Sequence, residues 1–289
     1  TIPDENHLKE EGHPLRKGMR DLFIPDEGYL FFQCDLSGAD GWTVGAHLAA
    51  LGNNTMLNDL RAKLKPAAIV CYLQRHGNES LNGKGQEGIR TLLKEVKKED
   101  WDYFACKQGI WGTCYIMGPR KLGEVLLIQS EGRVALNEAQ VKSFQQAIFA
   151  RYNVRIWHNA MQRKLNIKAE LTAASGLTRR FFGRPSEILG KALAFEPQAN
   201  TTYATNKALL NLWQDSENYY QDCGRTRLRI EPLHQVHDAL CGQFLKSDTE
   251  RAVAKIKSYF NKPLMIAGQT ITIPFDGAPG ATRQFGFTL

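Results

Sequence analysis

The stretch KQGIWGTCY places one basic and two aromatic residues at intervals of four, as Lys107, Trp111 and Tyr115. On a helix, residues four apart lie on the same face. A cation and two aromatic rings on one face can bind a triphosphate and stack against a base. The alternative is an amphipathic helix whose rings belong to the core and whose lysine is solvated.

Three aspartates lie where predicted strands or helices begin or end. Asp35 ends the strand predicted for GYLFFQCDLSG, and Asp40 opens the helix predicted directly after it. Asp238 lies in the tight turn between two strands predicted within RLRIEPLHQVHDALCGQFL. An aspartate in such a turn is commonly a turn former, so the local sequence alone leaves both interpretations of Asp238 open.

Three further motifs carry little functional information. Residues 83–88 match GxGxxG, but no predicted strand precedes them, which favours a plain polar loop. His234 and His237 would point to opposite faces of a strand, which argues against a shared zinc ion. Residues 53–55 and 78–80 fit the glycosylation pattern, which matters only in a secreted protein.

The elements predicted around these residues are strands near both ends and helices in the middle. Strands are predicted within residues 28–38 and 227–245. Helices are predicted over residues 39–51, 57–74, 90–117, 137–167, 201–213 and 252–260. This order predicts an α+β fold, with one sheet-based domain built from the two ends and a mainly helical insertion between them.

The composition is that of a basic globular protein, and many basic proteins bind no polyanion. The chain has 289 residues, 43% of them hydrophobic, which is enough for one large domain or two modest ones. Its net charge of +7 suggests a polyanionic partner. No apolar run has membrane-spanning length, no signal peptide opens the chain, and the six cysteines form no CxxC pair. We therefore expect reduced thiols, a cytoplasmic location and no membrane partner.

The three main motifs, in this order, resemble those of the family A DNA polymerases, the bacterial polymerase I type. DLSGAD resembles motif A, in which an aspartate is followed by Tyr/Leu-Ser and then a glutamate. KQGIWGTCY resembles motif B, Lys-x-x-x-aromatic-Gly-x-x-Tyr, and HQVHDALC resembles motif C, often Val-His-Asp-Glu. RDLFIPDEGYLFFQCD resembles the approach to motif A, and FEPQANTTYATNKAL resembles the Pro-x-Gln-Gly-Thr-Ala helix. The resemblance spans nearly the whole chain and is closest to phage-encoded members.

This resemblance implies nucleotidyl transfer from dNTP to a primer 3′ end by two Mg²⁺ ions, which Mn²⁺ can replace. Asp35 and Asp238 would hold the ions, and the backbone carbonyl of Leu36 would be a further ligand. Magnesium prefers oxygen ligands and completes its shell with substrate phosphates. Lys107 would be the third catalytic residue, because it would neutralise charge that develops on the triphosphate.

The resemblance also implies contacts to nucleotide and DNA. Trp111 would contact the incoming sugar and base, and Tyr115 would lie near the templating base. Asp40 would exclude a ribose 2′-hydroxyl.

Three more residues would contact the primer–template DNA. Gln198 and His237 would touch primer or template in the minor groove, and Arg20 would contact nucleotide or primer. The implied partners are therefore primer–template DNA and dNTP, and the implied location is the host cytoplasm if the chain is phage-encoded.

Several positions depart from the family pattern. Asp40 is one methylene shorter than the usual glutamate, and Ala239 replaces a common third carboxylate. Tyr103 stands where an arginine usually precedes the motif B lysine, Trp111 is bulkier than the usual ring, and Ile116 replaces a frequent glycine. These departures keep open a non-catalytic DNA-binding or assembly subunit. A single-subunit RNA polymerase is a second alternative.

The implied architecture is a right-hand polymerase core, with a palm over residues 1–51 and 190–289 and fingers over residues 52–189. The opening Ile2-Pro3 resembles the end of the Leu-Gln-Asn-Ile-Pro segment of the family. Thumb and exonuclease domains would then be absent from the chain. We expect a second polypeptide to supply a thumb, with or without an exonuclease domain. The alternatives are a fragment of a longer chain and another factor that holds the duplex.

Overall fold

A computed structural model describes residues 24–236 and 238–276 of the chain. The helices are α1 (Ala39–Ala50), α2 (Thr55–Arg61), α3 (Pro66–His76), α4 (Gln86–Leu92), α5 (Trp101–Cys114), α6 (Pro119–Gln129), α7 (Glu138–Tyr152), α8 (Arg155–Ile167), α9 (Pro185–Gln214) and α10 (Thr249–Phe260). The strands are β1 (Tyr29–Leu36), β2 (Glu170–Thr172), β3 (Thr178–Arg180), β4 (Tyr219–Asp222), β5 (Arg225–Leu228), β6 (Ile230–Val236), β7 (Ala239–Leu245), β8 (Leu264–Ile266), β9 (Gln269–Ile271) and β10 (Phe275–Asp276). Short 3-10 helices cover Leu93–Glu95, Ser216–Asn218 and Lys246–Asp248.

These elements belong to two compact units. Within the described residues, unit 1 contains residues 24–39, 201–264 and 272–276, and unit 2 contains residues 40–200 and 265–271. Unit 1 is thus assembled from separated parts of the chain, and unit 2 contains most of the helices. The predicted α+β class, with a helical insertion between sheet-forming ends, is confirmed. The predicted palm and fingers bounds stay predictions.

Unit 1 is built on an antiparallel sheet with the strand order β10-β1-β7-β6. Strand β1 is buried along most of its length, and Gln33 and Asp35 are its half-buried positions. A Cβ on Gly242 would lie 2.6 Å from the ring of Phe32, so only a glycine permits this close approach of β7 to β1. The sheet therefore holds β1 and β7 in tight, fixed register.

The remaining faces and edges of this sheet follow from its sequence. Helix α10 is amphipathic, and its apolar residues Ala252, Val253, Ile256 and Phe260 are buried where α10 packs on β7. The outer strand β6 contains Pro232 beside a register shift, as is usual for an edge strand.

Unit 2 consists mainly of helices, with α5 packed against α3, α6 and α7. Two glycines on α5 make this packing possible. A methyl group on Gly109 would overlap the ring of Phe144, and a Cβ on Gly112 would lie 3.0 Å from Leu122 Cδ1. The buried side of α5 is therefore fixed closely against its neighbours.

Three predicted helices are wrong in extent. The helix predicted over residues 57–74 is divided into α2 and α3, because Pro66 starts a new helix. The helix predicted over residues 90–117 is divided by a loop over residues 96–100, which ends at Asp100, the N-cap of α5. The helix predicted over residues 137–167 ends at Asn153, whose φ of 43° is left-handed, before α8 begins.

Other predicted elements agree with the structure. Strand β1, helix α1, the β6–β7 hairpin and α10 lie where the sequence predicted them, and the helix predicted over residues 201–213 is the second half of α9. No helix in the described ranges combines the length and the apolar character that crossing a bilayer requires.

Candidate active site

The two predicted metal-binding aspartates lie at the same end of neighbouring strands in unit 1. In the pairing of β1 with β7, Asp35 is opposite Ala239, the residue that follows Asp238. The backbone N–H of Leu36 donates to the carbonyl oxygen of Asp238 at 3.4 Å. Both aspartates are half-buried. The sheet register therefore brings Asp35, Leu36 and Asp238 together.

The turn that carries Asp238 is anchored by the second half of α9. The hydroxyl of Thr205 donates to the carbonyl oxygen of Asp238 at 3.2 Å and lies 3.4 Å from the carbonyl oxygen of Thr201. Thr205 is fully buried. The carbonyl of Asp238 thus accepts two bonds that fix the turn, and its carboxylate is the group left to act as a ligand.

The donor set of these residues fits a hard divalent cation. Two carboxylates and a main-chain carbonyl are oxygen ligands of the kind that Mg²⁺ prefers. Cys34 is no competing ligand, because burial and then the charge of Asp35 raise the pKa of its thiol. Within the described residues, no three His, Cys, Asp or Glu side chains are grouped as a metal centre. Two carboxylates suffice where substrate phosphates complete the shell.

The three motif B residues lie along the less buried side of the end of α5. Lys107 is exposed and Trp111 is half-buried, whereas Cys106, Gly109 and Ile110 are buried. Tyr115, the C-cap residue, is half-buried as well. The spacing of four thus places Lys107, Trp111 and Tyr115 on one side of the end of α5, as predicted.

Helix α5 meets the start of α1 through these aromatic residues. The hydroxyl of Tyr115 donates to Asp40 Oδ2 at 2.8 Å. Burial, followed by the charge of Asp40, raises the pKa of Tyr115, so its hydroxyl stays a donor. A Cβ on Gly41 would lie 3.0 Å from Trp111 Cη2, so the indole is packed directly on the first turn of α1. Asp40, Trp111 and Tyr115 therefore form one cluster in unit 2.

The backbone at the end of α5 is held by residues from α7 and α8. His158 Nε2 lies 2.8 Å from the carbonyl oxygen of Cys114 and donates to it, and Gln145 Nε2 donates to the carbonyl of Met117 at 2.9 Å. Burial lowers the pKa of His158, which favours its neutral form. Between these bonds, Ile116 has a φ of 59°, a conformation that a β-branched residue rarely adopts. The position of Tyr115 is thus determined by the packing of unit 2.

The remaining predicted site residues lie outside these two clusters or outside the described residues. Gln198 is exposed on α9 in unit 2. Arg20 and His237 lie outside the described residues. Ala239 is buried in β7. Tyr103 is half-buried on α5, where burial raises the pKa of its phenol, and the adjacent Asp102 is bound by Arg75.

Sequence reasoning missed Thr205 and His158. Both act on backbone carbonyls that are distant in the chain, and neither lies in one of the three motifs. The pattern TTYAT in a helix gave a weak indication of Thr205, since a buried threonine in a helix requires a partner for its hydroxyl.

Comparisons with known proteins identify a fold and no sequence family. No family model matches the chain, and no curated protein matches it. Among solved structures, the chain is similar to the POL domain of Pol1 from M. smegmatis in complex with DNA primer-template and dNTP. The TM-score is 0.69 at 17% identity, over 99% of this chain and 44% of that chain. The chain therefore has the fold of a polymerase domain and spans less than half the length of the matched chain.

Proposed function

We propose that the chain carries out template-directed DNA synthesis, by nucleotidyl transfer from dNTP to a primer 3′ end. The observation that carries this proposal is the juxtaposition of Asp35 and Asp238 at the end of the β1–β7 pair. The fold similarity to a polymerase domain supports it independently. In this proposal the palm comprises residues 1–51 and 190–289, and the fingers comprise residues 52–189.

Asp35, Asp238 and the carbonyl of Leu36 would hold two Mg²⁺ ions, with Mn²⁺ as a substitute. When bound, such ions stabilise the charge on the attacking and leaving oxygens of an in-line displacement. Asp35 lies in a central strand and Asp238 is fixed by Leu36 and Thr205. The backbone at both residues is thus fixed, which would reduce the free energy of ordering the two carboxylates as ligands.

The cluster on α5 and α1 would bind the nucleotide. Lys107 is exposed and would neutralise the triphosphate, whereas Trp111 and Tyr115 would contact the sugar and bases. Asp40 accepts the hydrogen bond of Tyr115, which would hold its carboxylate where a 2′-hydroxyl must be excluded. Gln198, and outside the described residues Arg20 and His237, would contact primer or template.

The test is primer extension with dNTP and Mg²⁺ by the intact chain and two variants. Asp35→Asn and Asp238→Asn should each lower extension by orders of magnitude. DNA affinity should survive, because it depends mainly on phosphate contacts from Lys and Arg. Asp222→Asn, in the exposed β4–β5 hairpin of the same unit, is the matched control and should retain activity. Near-parental turnover in either Asp35→Asn or Asp238→Asn would contradict the assignment of that residue as a metal ligand.

Two replacements favour a second candidate, a non-catalytic DNA-binding or assembly subunit. Ala239 is buried and supplies no third carboxylate, and Tyr103 supplies no positive charge beside Lys107. Such a subunit would bind primer–template DNA yet extend no primer under any metal condition. The expected second polypeptide with a thumb stays a prediction, and adding thumb-bearing chains to the extension assay tests it.

A further inference from the structure

A short segment of unit 2 carries much of the positive charge of the chain. Residues 163–191 contain seven Lys or Arg residues and two Glu residues, a net charge of +5, whereas the whole chain has a net charge of +7. This segment, the basic hairpin segment, comprises the end of α8, the β2–β3 hairpin and the start of α9. The share of the net charge that lies in this segment is far larger than its share of the chain length.

Few of these charges are neutralised within the fold. Glu170 Oε1 lies 2.6 Å from Lys168 Nζ, and Glu170 Oε2 lies 2.8 Å from Arg180 Nε, so one carboxylate serves two cations. The side chains of Lys168 and Arg180 remain 71% and 78% exposed. The guanidinium of Arg179 stacks over Phe181, at 5.2 Å from the ring centroid. Arg184 forms no ion pair with any described residue.

A large aromatic ring projects from the same segment. Phe182 is 89% exposed, whereas the adjacent Phe181 is 6% exposed and packs edge-on against Phe195. All three residues of β3, Thr178, Arg179 and Arg180, are exposed, and the exposed ring of Phe182 follows two positions after the strand. An exposed ring among exposed cations is the arrangement that binds single-stranded nucleic acid, in which rings stack on bases and cations contact phosphates.

The basic hairpin segment adjoins the cluster of Asp40, Trp111 and Tyr115 within unit 2. A Cβ on Gly190 would lie 3.2 Å from the carbonyl oxygen of Tyr115, so the start of α9 packs on the end of α5. Lys191 follows Gly190 directly and is exposed. A strand whose base reached Tyr115 would therefore have the basic hairpin segment as its neighbouring surface.

We propose that the basic hairpin segment binds the single-stranded part of the template, with Phe182 stacked on a base and Arg184 and Arg180 on phosphates. The inference rests on the proposed function, since that function supplies the template strand. Leu177 and Ile167 are also exposed, which would suit a protein partner. The net charge of +5 favours a polyanion instead.

The experiment measures the binding of a fluorescent oligothymidylate to the intact chain by anisotropy over a salt series. Phe182→Ala should weaken binding about tenfold, and Phe182→Leu should weaken it similarly, because leucine keeps apolar area but offers no aromatic face. Arg184→Gln should reduce the slope of log K against log salt by about 0.7. Ile128→Ala, which removes a 73% exposed apolar side chain from α6, is the control and should bind as the parent does.

A second measurement separates this inference from the proposed function. Apparent DNA affinity in primer extension is compared on templates with a one-nucleotide overhang and with a long single-stranded overhang. Phe182→Ala should weaken the long-overhang template alone. A chain that extends no primer contradicts the proposed function, while the anisotropy series still tests the segment. If Phe182→Ala and Arg184→Gln bind the oligothymidylate with the affinity and the salt dependence of the parent, the inference is overturned. A protein-docking surface is then the explanation for the exposure of Phe182.

Discussion

At the scale of single residues, Lys107 offers the most direct test of nucleotide binding. Its side chain is exposed on α5, so Lys107→Ala should leave the fold intact. Loss of a charge-assisted contact of about 1.5–3 kcal/mol should lower kcat/KM for dNTP by one to two orders of magnitude, through a higher KM and a lower kcat. Steady-state extension kinetics measure both constants.

The control for this variant is Lys121→Ala, which removes an exposed lysine from α6. It should keep the parental constants, because Lys121 pairs with Glu124 and takes no part in the candidate site. An unchanged kcat/KM in Lys107→Ala excludes the triphosphate role.

Under the proposed function, the bond between Tyr115 and Asp40 predicts how the chain would discriminate between deoxyribonucleotides and ribonucleotides. Asp40→Ala removes the carboxylate that would exclude a 2′-hydroxyl, so ribonucleotide insertion should rise. The free energy by which the chain discriminates against rNTP should fall by about 1–3 kcal/mol. Tyr115→Phe keeps the ring and removes only the donor to Asp40, so its effect should be smaller and in the same direction. Competition between dNTP and rNTP measures the ratio. If Asp40→Ala rejects rNTP as well as its parent does, Asp40 is not the sugar-selecting residue.

The sequence predicts which of these residues share a helix face better than it predicts their contacts. The intervals of four between Lys107, Trp111 and Tyr115 are enough to place them on one side of α5, because helical geometry is local. The bond from Tyr115 to Asp40 joins residues 75 positions apart. It depends on how α1 packs on α5, which no local pattern contains.

At the scale of secondary structure elements, α9 holds the turn that presents Asp238. Thr205→Val keeps the shape of the side chain and removes the hydroxyl that donates to the carbonyl of Asp238. The free energy of unfolding should fall by about 0.5–1.5 kcal/mol, because Leu36 still donates to the same carbonyl. Extension should slow as the turn loosens, with DNA affinity retained.

The comparison variant is Thr205→Ser, which restores the hydroxyl and should recover most of the extension rate. A merely structural role for Thr205 would lower stability in Thr205→Val and leave the dependence of rate on Mg²⁺ concentration unchanged. That result contradicts the proposed positioning of Asp238.

The packing of α5 on α7 gives a second prediction for secondary structure elements. Gly109→Ala adds a methyl group that overlaps the ring of Phe144, so unit 2 should lose about 1–3 kcal/mol of stability. Gly88→Ala, on the exposed side of α4, meets only the flexible side chain of Lys84 and serves as the control. Urea unfolding measures both variants. Equal midpoints in the two variants would show that α5 and α7 are not packed in this way.

The ends of several helices are the elements that the sequence did not predict. From residue 137 to residue 167 the apolar periodicity continues through the break at Asn153, because α7 and α8 both bury a face in the same core. Periodicity reports which side of a helix is buried and says little about where the helix ends. Asn153 in the left-handed conformation is the physical cause of the break.

At the scale of the whole molecule, the stability of unit 2 depends on a buried pair of titratable groups. His47 on α1 is 7% exposed, stacks on Trp157 of α8 and lies 3.6 Å from Glu196 of α9. His47 Nε2 and Glu196 Oε2 have no hydrogen-bond partner among the described residues. Burial, followed by the charge of Lys164, lowers the pKa of His47 to about 4, and burial raises the pKa of Glu196.

The two shifts act in opposite directions on stability as a function of pH. The pKa of an unfolded histidine is about 6.5, so between pH 6.5 and about 4 the unfolded chain binds the proton that buried His47 refuses. Stability should therefore fall by up to about 3 kcal/mol as the pH decreases through this window. Glu196 contributes the opposite slope. Because its pKa is raised in the folded chain, the fold becomes less stable as the pH rises above the pKa of an unfolded glutamate.

The variant that isolates the histidine is His47→Gln, a neutral side chain of similar size. Its free energy of unfolding, measured with urea at several pH values from 4.5 to 7, should decline less toward acid pH than that of the parent. Some decline should remain, because burial also lowers the pKa of His158. A His47→Gln variant with the full parental slope would mean that burial does not lower the pKa of His47 in the folded chain.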